Sequence, residues 1–213
     1  MDWIVLQDLR FDAVVGVLAR EQAAAQPLDV EVKLGVDLDE SGGTGDLSKS
    51  VDYASIAHQV RFIAQQGRWR LIESLGTAVC RALLAPPGEQ EERAQVERVE
   101  VRIRKPTILD GLAVPGVTLR RTKEWCKLVR TKAPSRTTLD RLEATPLEAA
   151  YRVHIEAGTA WQPPPGVALF VVAGRPRHDG QTLAPGAEIA RASGPFENHQ
   201  KKAITLLAVG SPI

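Results

Sequence analysis

Alternation of apolar and polar residues is the clearest pattern in the first half of the chain, and it predicts four strands. Between residues 27 and 38 every second side chain is apolar, and most of the side chains between them are charged. A period of two is typical of a strand that buries one face. Similar patterns predict strands over residues 3–15, 99–105 and 114–121.

Two segments between the second and third predicted strands have the period of a helix. Apolar residues recur every three or four positions in residues 53–66 and again in residues 71–84. The order strand, strand, helix, helix, strand, strand lacks the alternation of a parallel α/β protein. It predicts an α+β domain over residues 1–121, with a four-stranded antiparallel sheet and two helices on one of its faces.

The second half of the chain has a different composition. Basic residues outnumber acidic ones in residues 122–146, which predicts a solvated linker or a short helix, with recognition of an acidic partner or a phosphate as the alternative. Beyond it, short apolar runs separated by Gly and Pro predict strands over residues 150–155, 167–173 and 203–209. Residues 147–213 are therefore predicted to form a small all-β module.

Composition excludes several classes of function. A formal net charge of +1 over 213 residues argues against binding nucleic acid or an anionic membrane by electrostatics, and 5% aromatic residues against a base-stacking surface. No apolar stretch approaches the ~20 residues of a membrane span, and the first residues do not resemble a signal peptide. Two cysteines, Cys80 and Cys126, are predicted to be separate thiols in a reducing compartment, which indicates a cytoplasmic protein.

Lys105 breaks the pattern of the third predicted strand. Val99, Val101 and Ile103 occupy one face, and Lys105 follows them on that same apolar face. Lysine is seldom buried without a partner, and a lysine at the rim of a cavity can shift its pKa and move protons. This position marks Lys105 as a candidate for acid–base chemistry.

Lys105 also lies in one of four short stretches that occur together, in this order and at these spacings, in one family of enzymes. The stretches are Gly16-Val-Leu-Ala-Arg-Glu21, Val51-Asp52-Tyr53, Leu71-Ile72-Glu73-Ser74-Leu75 and Arg104-Lys105-Pro106. With them, residues 1–121 resemble dihydroneopterin aldolase, a tunnelling-fold enzyme of folate biosynthesis. The chain departs from the family pattern where Leu18 and Arg20 replace residues that are often aromatic.

The resemblance implies a retro-aldol reaction. In it, 7,8-dihydroneopterin is cut into 6-hydroxymethyl-7,8-dihydropterin and glycolaldehyde, without a metal, another cofactor or a Schiff base. It implies that Lys105 moves a proton at the substrate, that Glu21 holds this lysine, and that Tyr53 exchanges a proton from a neighbouring subunit. Glu73 would anchor the pterin by accepting two N–H bonds. The remaining residues implied to bind substrate are Ile72, Val51 and Asp52.

The resemblance leaves alternatives open. A related epimerase of dihydroneopterin triphosphate would use the same intermediate, and a non-catalytic pterin-binding or scaffold protein would keep only the pocket. The preference among unphosphorylated, monophosphate and triphosphate substrates is also open. The family further implies a homo-oligomer, an octamer of two tetrameric rings, with pockets at the subunit boundaries.

The predicted β module carries a second, fainter resemblance. The spacing of Gly and Pro between residues 158 and 186 is similar to the strand rhythm of a cupin barrel. Proline, glycine and apolar residues stand where cupins place metal-binding His and Glu. His154, His178 and His199 are scattered rather than paired at the spacing of metal ligands, and they are predicted to be surface or loop residues.

Overall fold

The first unit is built on the sheet that the alternation predicts. The computed structural model describes residues 1–144 and 149–210, and its first unit comprises residues 1–86 and 93–127. Its strands are β1 (Asp2–Val15), β2 (Gln26–Val36), β3 (Arg68–Trp69), β4 (Arg98–Arg104) and β5 (Gly116–Thr122). The spatial order is β3-β1-β2-β4-β5, antiparallel except for the short parallel pair of β1 and β3. The predicted four-stranded antiparallel sheet is therefore confirmed, with β3 as an addition.

The helices of this unit are α1 (Ala19–Ala23), α2 (Asp39–Thr44), α3 (Tyr53–Gln66) and α4 (Ile72–Leu84), and Leu47–Lys49 forms a 3₁₀ turn. The two long helices confirm the predicted segments, whereas α1 and α2 are too short to show a period. Asp52 starts α3, because its Oδ1 accepts the backbone N–H of Ala54 at 2.9 Å and of Ser55 at 3.2 Å. Apolar side chains of α3 and α4 pack on the buried face of the sheet.

The core lies on the predicted face of the sheet. In β2, the even-numbered residues from Leu28 to Val36 are buried. In β4, Val99, Val101 and Ile103 are buried, and Lys105, just beyond the strand, is buried on the same side with 8% exposure. Alternation therefore located both the core and the unusual lysine.

The second unit comprises residues 87–92 and 128–213, of which 145–148 and 211–213 lie outside the description. Among its described residues, ten strands form two antiparallel sheets, which confirms the all-β prediction. The strands are β6 (Val129–Ala133), β7 (Thr137–Ala144), β8 (Ala149–Ile155), β9 (Thr159–Trp161), β10 (Ala168–Ala173), β11 (Arg177–His178), β12 (Gln181–Thr182), β13 (Glu188–Ile189), β14 (Phe196–Asn198) and β15 (Ile204–Gly210).

The sheets have the orders β13-β10-β15-β8-β7-β6 and β12-β11-β14-β9. One apolar cluster includes residues from both, among them Trp161 and Phe196 from the smaller sheet and Tyr151 and Leu206 from the larger. The buried side chains of this cluster are apolar, and the same unit also buries polar side chains, among them Asp140, Arg152 and Asn198.

The predicted linker over residues 122–146 is wrong over residues 122–144, and its last two residues lie outside the description. The first unit continues to Lys127, and β6 and β7 form a hairpin of the second unit whose turn has positive φ at Ser135 and Arg136. β6 is an edge strand with mostly exposed side chains, and exposed positions accept the basic residues that concealed the strand in the sequence. Residues 87–92 also differ from the prediction, because they belong to the second unit.

No helix in the described part of the chain is both long and apolar enough to span a membrane.

Candidate active site

A cradle of backbone donors follows the end of β1 and holds Glu21. Oε2 of Glu21 accepts the N–H groups of Val17 and Leu18, each at 3.1 Å, and the residue is 8% exposed. Gly16 makes this possible, because a Cβ at its position would lie 2.1 Å from Cδ of Glu21, and its φ is +148°. The chain thus turns tightly enough to receive the carboxylate against its own backbone.

Lys105, which directly follows β4, is the side-chain partner of Glu21. Its Nζ donates to Oε1 of Glu21 at 2.5 Å, and both side chains are nearly buried. The backbone N–H of Lys105 donates to the carbonyl of Pro115 at 3.0 Å, which fixes the lysine where β4 and β5 separate. The predicted association of Glu21 and Lys105 is therefore present in the structure, across 84 positions of sequence.

The surroundings of Glu21 favour its ionised form. Burial acts to raise the pKa of Glu21, but the hydrogen bonds from Lys105 and from the backbone of Leu18 outweigh it, and the pKa falls below its ordinary value. A buried carboxylate with several donors and one ammonium partner can hold that ammonium in place and exchange a proton with it. This arrangement suits proton transfer at a bound substrate.

A cavity of about 280 Å³ opens beside the pair. Glu21 lies in its wall, together with Arg20 and Gln26 from the same segment of chain and Thr107 and Asp110 from the loop after Lys105. Polar side chains of both charges therefore surround an opening next to a buried acid–base pair. This cavity gives a small polar molecule access to Glu21.

The other predicted site residues lie where the long helices begin. Tyr53 is the first residue of α3 and is 61% exposed, and Glu73 is exposed in the first turn of α4, after the partly buried Ile72. Their exposure leaves both side chains open to a ligand or another subunit.

Two of the predicted substrate-binding residues have clear structural roles. The side chain of Val51 is 1% exposed and belongs to the core, and the carboxylate of Asp52 caps α3. Direct contact between the Val51 side chain and a ligand would require the core to open, so its backbone is the part that remains for binding. Their predicted roles in binding substrate stay predictions.

Gln22 and Gln26 were not identified from the sequence. Nε2 of Gln22 donates to the carbonyls of Gly16 at 2.5 Å and Trp69 at 3.3 Å, and Nε2 of Gln26 donates to the carbonyl of Val15 at 2.6 Å. The sequence feature that could have marked them is that they are the only polar residues in residues 22–26, directly after Glu21, with three alanines between them. Both support the chain around the cradle.

The histidines of the second unit do not all lie at the surface. His178 is 7% exposed and stacks on Phe196 with ring centroids 4.1 Å apart, which corrects its prediction as a surface or loop residue. Nε2 of His154 lies 3.3 Å from Asp140, a carboxylate that Arg130 binds through two hydrogen bonds. His199 is exposed and contacts Glu197 at 2.9 Å.

One acidic group in the described part of the chain has the spacing of metal ligands. Oxygens of Asp2, Asp37 and Asp39 lie within 4.8 Å of one another, and all three residues are exposed. Exposed carboxylates adopt such spacing without an ion.

Comparisons with known proteins point to one family for the first unit. The family model for dihydroneopterin aldolase matches residues 4–120. A dihydroneopterin aldolase from Streptococcus pyogenes is 31% identical over 125 residues, which are 58% of this chain and 100% of that protein. Another from Streptomyces coelicolor is 29% identical over 106 residues, 50% of this chain and 83% of that protein.

A solved structure supports the same family for the first unit. Escherichia coli dihydroneopterin aldolase in complex with neopterin has a TM-score of 0.51 and 26% identity, and the match covers 57% of this chain and 99% of that chain. A cupin-2 domain from Rhodospirillum rubrum has a TM-score of 0.34 and 15% identity, and the match covers 41% of this chain and 70% of that chain. At this TM-score the second likeness supports no conclusion about function.

Proposed function

This chain belongs to the dihydroneopterin aldolase family, and we propose that Lys105, Glu21 and Tyr53 are the residues with which it carries out the retro-aldol cleavage of 7,8-dihydroneopterin in folate biosynthesis. The observation that carries the assignment is the buried pair of Glu21 and Lys105 beside an open cavity. Such a pair has no need to be buried for the sake of the fold, since a buried ion pair rarely adds stability over apolar residues.

The reaction needs two proton transfers. A proton leaves the hydroxyl on the second carbon of the side chain as the carbon–carbon bond breaks and glycolaldehyde departs. The electron pair passes into the pterin ring, and a proton then arrives at the carbon that remains attached to the ring. We assign the transfers to Lys105, acting through a water molecule, and to Tyr53. Positioned proton donors and acceptors typically contribute ~10²–10⁴-fold to such a step.

Glu73 is proposed to bind the pterin. The aminopyrimidinone edge presents two parallel N–H donors, and one carboxylate can accept both in a bidentate arrangement. Glu73 supports this role by its exposure and by its place in the first turn of α4, where the helix dipole favours a negative charge. Ile72, Val51 and Asp52 are proposed to line the same pocket, Val51 through its backbone.

We expect the active form to be a homo-oligomer with the ring arrangement usual in the family. Trp3 and Val5 are 47% and 44% exposed on β1. Among the described residues, β3 pairs with Val14 and Val15 alone, so the side of β1 opposite β2 is mostly an unpaired sheet edge in one protomer. The exposed Tyr53 would then complete the pocket of a neighbouring subunit. Cys80 and Cys126 are thiols that form no disulfide, which supports a cytoplasmic location.

An assay of products tests the activity. The purified chain should release glycolaldehyde from 7,8-dihydroneopterin, whereas an epimerase would return the epimer, most readily from the triphosphate. Lys105→Ala should lower kcat by about 10²-fold or more with little change in pterin affinity. Glu73→Ala should chiefly raise KM. Lys49→Ala, which removes a lysine from the exposed pair with Glu40, is the matched control and should behave as the unaltered protein.

A mixing experiment tests the shared site. Lys105→Ala and Tyr53→Phe should each be weakly active alone, and subunits dissociated, mixed and reassembled should regain activity, because some pockets then combine an intact Lys105 with an intact Tyr53. Normal turnover by Lys105→Ala would refute the mechanism. An active monomer in light scattering would refute the shared pocket while leaving the chemistry intact.

A further inference from the structure

The cavity beside Glu21 carries two opposite charges that the fold does not pair. Arg20, next to Glu21 in α1, and Asp110, in the loop after Lys105, both line this cavity, and both residues are exposed. Within the described part of the chain, neither side chain forms a hydrogen bond or an ion pair with another residue. Both charged groups are therefore free to bind a ligand that enters the cavity.

The buried pair does not satisfy the charge of Arg20. Nζ of Lys105 donates to Oε1 of Glu21, and backbone N–H groups bind Oε2, so both oxygens of this carboxylate are already occupied. Arg20 is then left as the basic residue that lines the cavity, and Thr107 adds a hydroxyl to the same wall. A guanidinium presents parallel N–H donors that match two oxygens of a phosphate. The wall therefore offers a charged and a neutral donor to an anion.

The proposed chemistry indicates which part of the substrate reaches Arg20. Glu21 and Lys105 are assigned to the hydroxyl on the second carbon of the side chain, and the terminal hydroxyl lies one carbon further from the pterin ring. Glu73, which is proposed to bind the ring, is carried by α4 and is not among the described residues that line the cavity. With the ring at α4 and the reacting hydroxyl at Glu21, the end of the side chain extends into the cavity.

We propose that this site takes 7,8-dihydroneopterin as a phosphate ester on the terminal hydroxyl, and that Arg20 is the specificity-determining residue that binds the phosphate. This inference rests on the proposed function. The bond between the first and second side-chain carbons breaks, and the second-carbon hydroxyl loses its proton as its carbon becomes an aldehyde. The electron pair passes into the pterin ring, and the first carbon then takes up a proton. The products are 6-hydroxymethyl-7,8-dihydropterin and glycolaldehyde phosphate, and the phosphate ester itself stays intact.

Asp110 acts in the opposite direction. Its carboxylate can accept a hydrogen bond from a free terminal hydroxyl, and it repels a phosphate. Direct bidentate bonds from Arg20 to a phosphate dianion outweigh repulsion from an exposed carboxylate, which solvent and salt screen. The two residues thus provide two substitutions with opposite expected effects on substrate preference. A change in the fold or in the buried pair would slow both substrates alike and leave the preference unaltered.

The experiment measures kcat/KM for 7,8-dihydroneopterin and for its monophosphate and triphosphate. We expect the esters to be favoured by about 10-fold, the scale of a hydrogen bond to a charged group. Arg20→Met should abolish this preference for both esters, and Asp110→Asn should increase it by about threefold. Arg102→Met, which removes an arginine from the exposed face of β4, is the matched control and should leave the preference unchanged.

Binding of neopterin and neopterin monophosphate, oxidised ligands with the same side chain, gives a readout that needs no turnover. The phosphate should improve affinity by about 10-fold in the unaltered protein, less at high salt, and not at all in Arg20→Met. Equal cleavage of ester and free alcohol, or an ester preference that survives Arg20→Met, overturns the proposal. If the protein cleaves neither compound, the proposed function fails, and the binding comparison still decides whether Arg20 recognises the phosphate.

Discussion

Replacing Gly16 by alanine should disable the site although none of the proposed catalytic residues is itself replaced. The new Cβ would lie 2.1 Å from Cδ of Glu21 and 2.3 and 2.4 Å from its two oxygens. Real Cβ contacts essentially never fall below 3.0 Å, so the carboxylate or the loop must move. The φ of +148° at Gly16 adds backbone strain, because alanine rarely adopts that conformation.

The size of the displacement sets the expected effect. Ordinary contact begins at 3.4 Å, so Cδ of Glu21 must retreat by about 1.3 Å, and a misplacement of about 1 Å in a catalytic group can already cost about 10²-fold in rate. We therefore expect kcat of Gly16→Ala to fall by about 10²-fold. Pterin affinity should change little, because Glu73 is carried by α4, a different element. The backbone strain should also lower the free energy of unfolding by about 1–3 kcal/mol.

The assay is glycolaldehyde release under saturating substrate, with denaturant unfolding measured on the same samples. Gly42→Ala is the matched control, because no atom lies within 4 Å of the added Cβ, and the residue sits in α2. That variant should retain full activity and gain up to about 1 kcal/mol of stability from the better helix propensity of alanine. A Gly16→Ala protein with unaltered kcat would show that the position of Glu21 does not limit the reaction.

Two further predictions concern titration. Burial acts to raise the pKa of Asp140, but hydrogen bonds from Arg130 and His154 outweigh burial and lower that pKa. The Asp140 carboxylate therefore stabilises the folded protein above about pH 4, the pKa of an unfolded aspartate, and this stabilisation is lost as the pH falls below that value. Asp140→Asn should flatten the decline of unfolding free energy between about pH 4 and 2, and an identical decline would contradict this. Burial raises the pKa of Cys80 to about 12. In the Cys126→Ser variant, where Cys80 is the remaining thiol, a maleimide should therefore label the protein only after unfolding. Rapid labelling of the folded variant would contradict the burial of Cys80.

The fold of the first unit could be read from sequence because its elements bury one face each. The period of two in β2 and the helical period of α3 and α4 show which side chains are buried, and each period can be seen within a single segment of sequence. The hairpin of β6 and β7 could not be read in this way. β6 lies at an edge and exposes most of its side chains, so its basic residues resemble those of a solvated linker.

For the candidate site, too, some features follow from local sequence and others only from the tertiary structure. The sequence by itself determined that Lys105 lies on an apolar face, since that follows from alternation along one strand, and the four family stretches marked Glu21, Tyr53 and Glu73 as candidates. Only the tertiary structure decided that the carboxylate of Glu21 occupies the space left by the missing side chain of Gly16. Only the tertiary structure brought Nζ of Lys105 to 2.5 Å from the Glu21 carboxylate, or placed the Gln26 amide on the carbonyl of Val15. Periodicity records burial along one element, whereas these contacts depend on the distance between atoms of different elements, which no local pattern encodes.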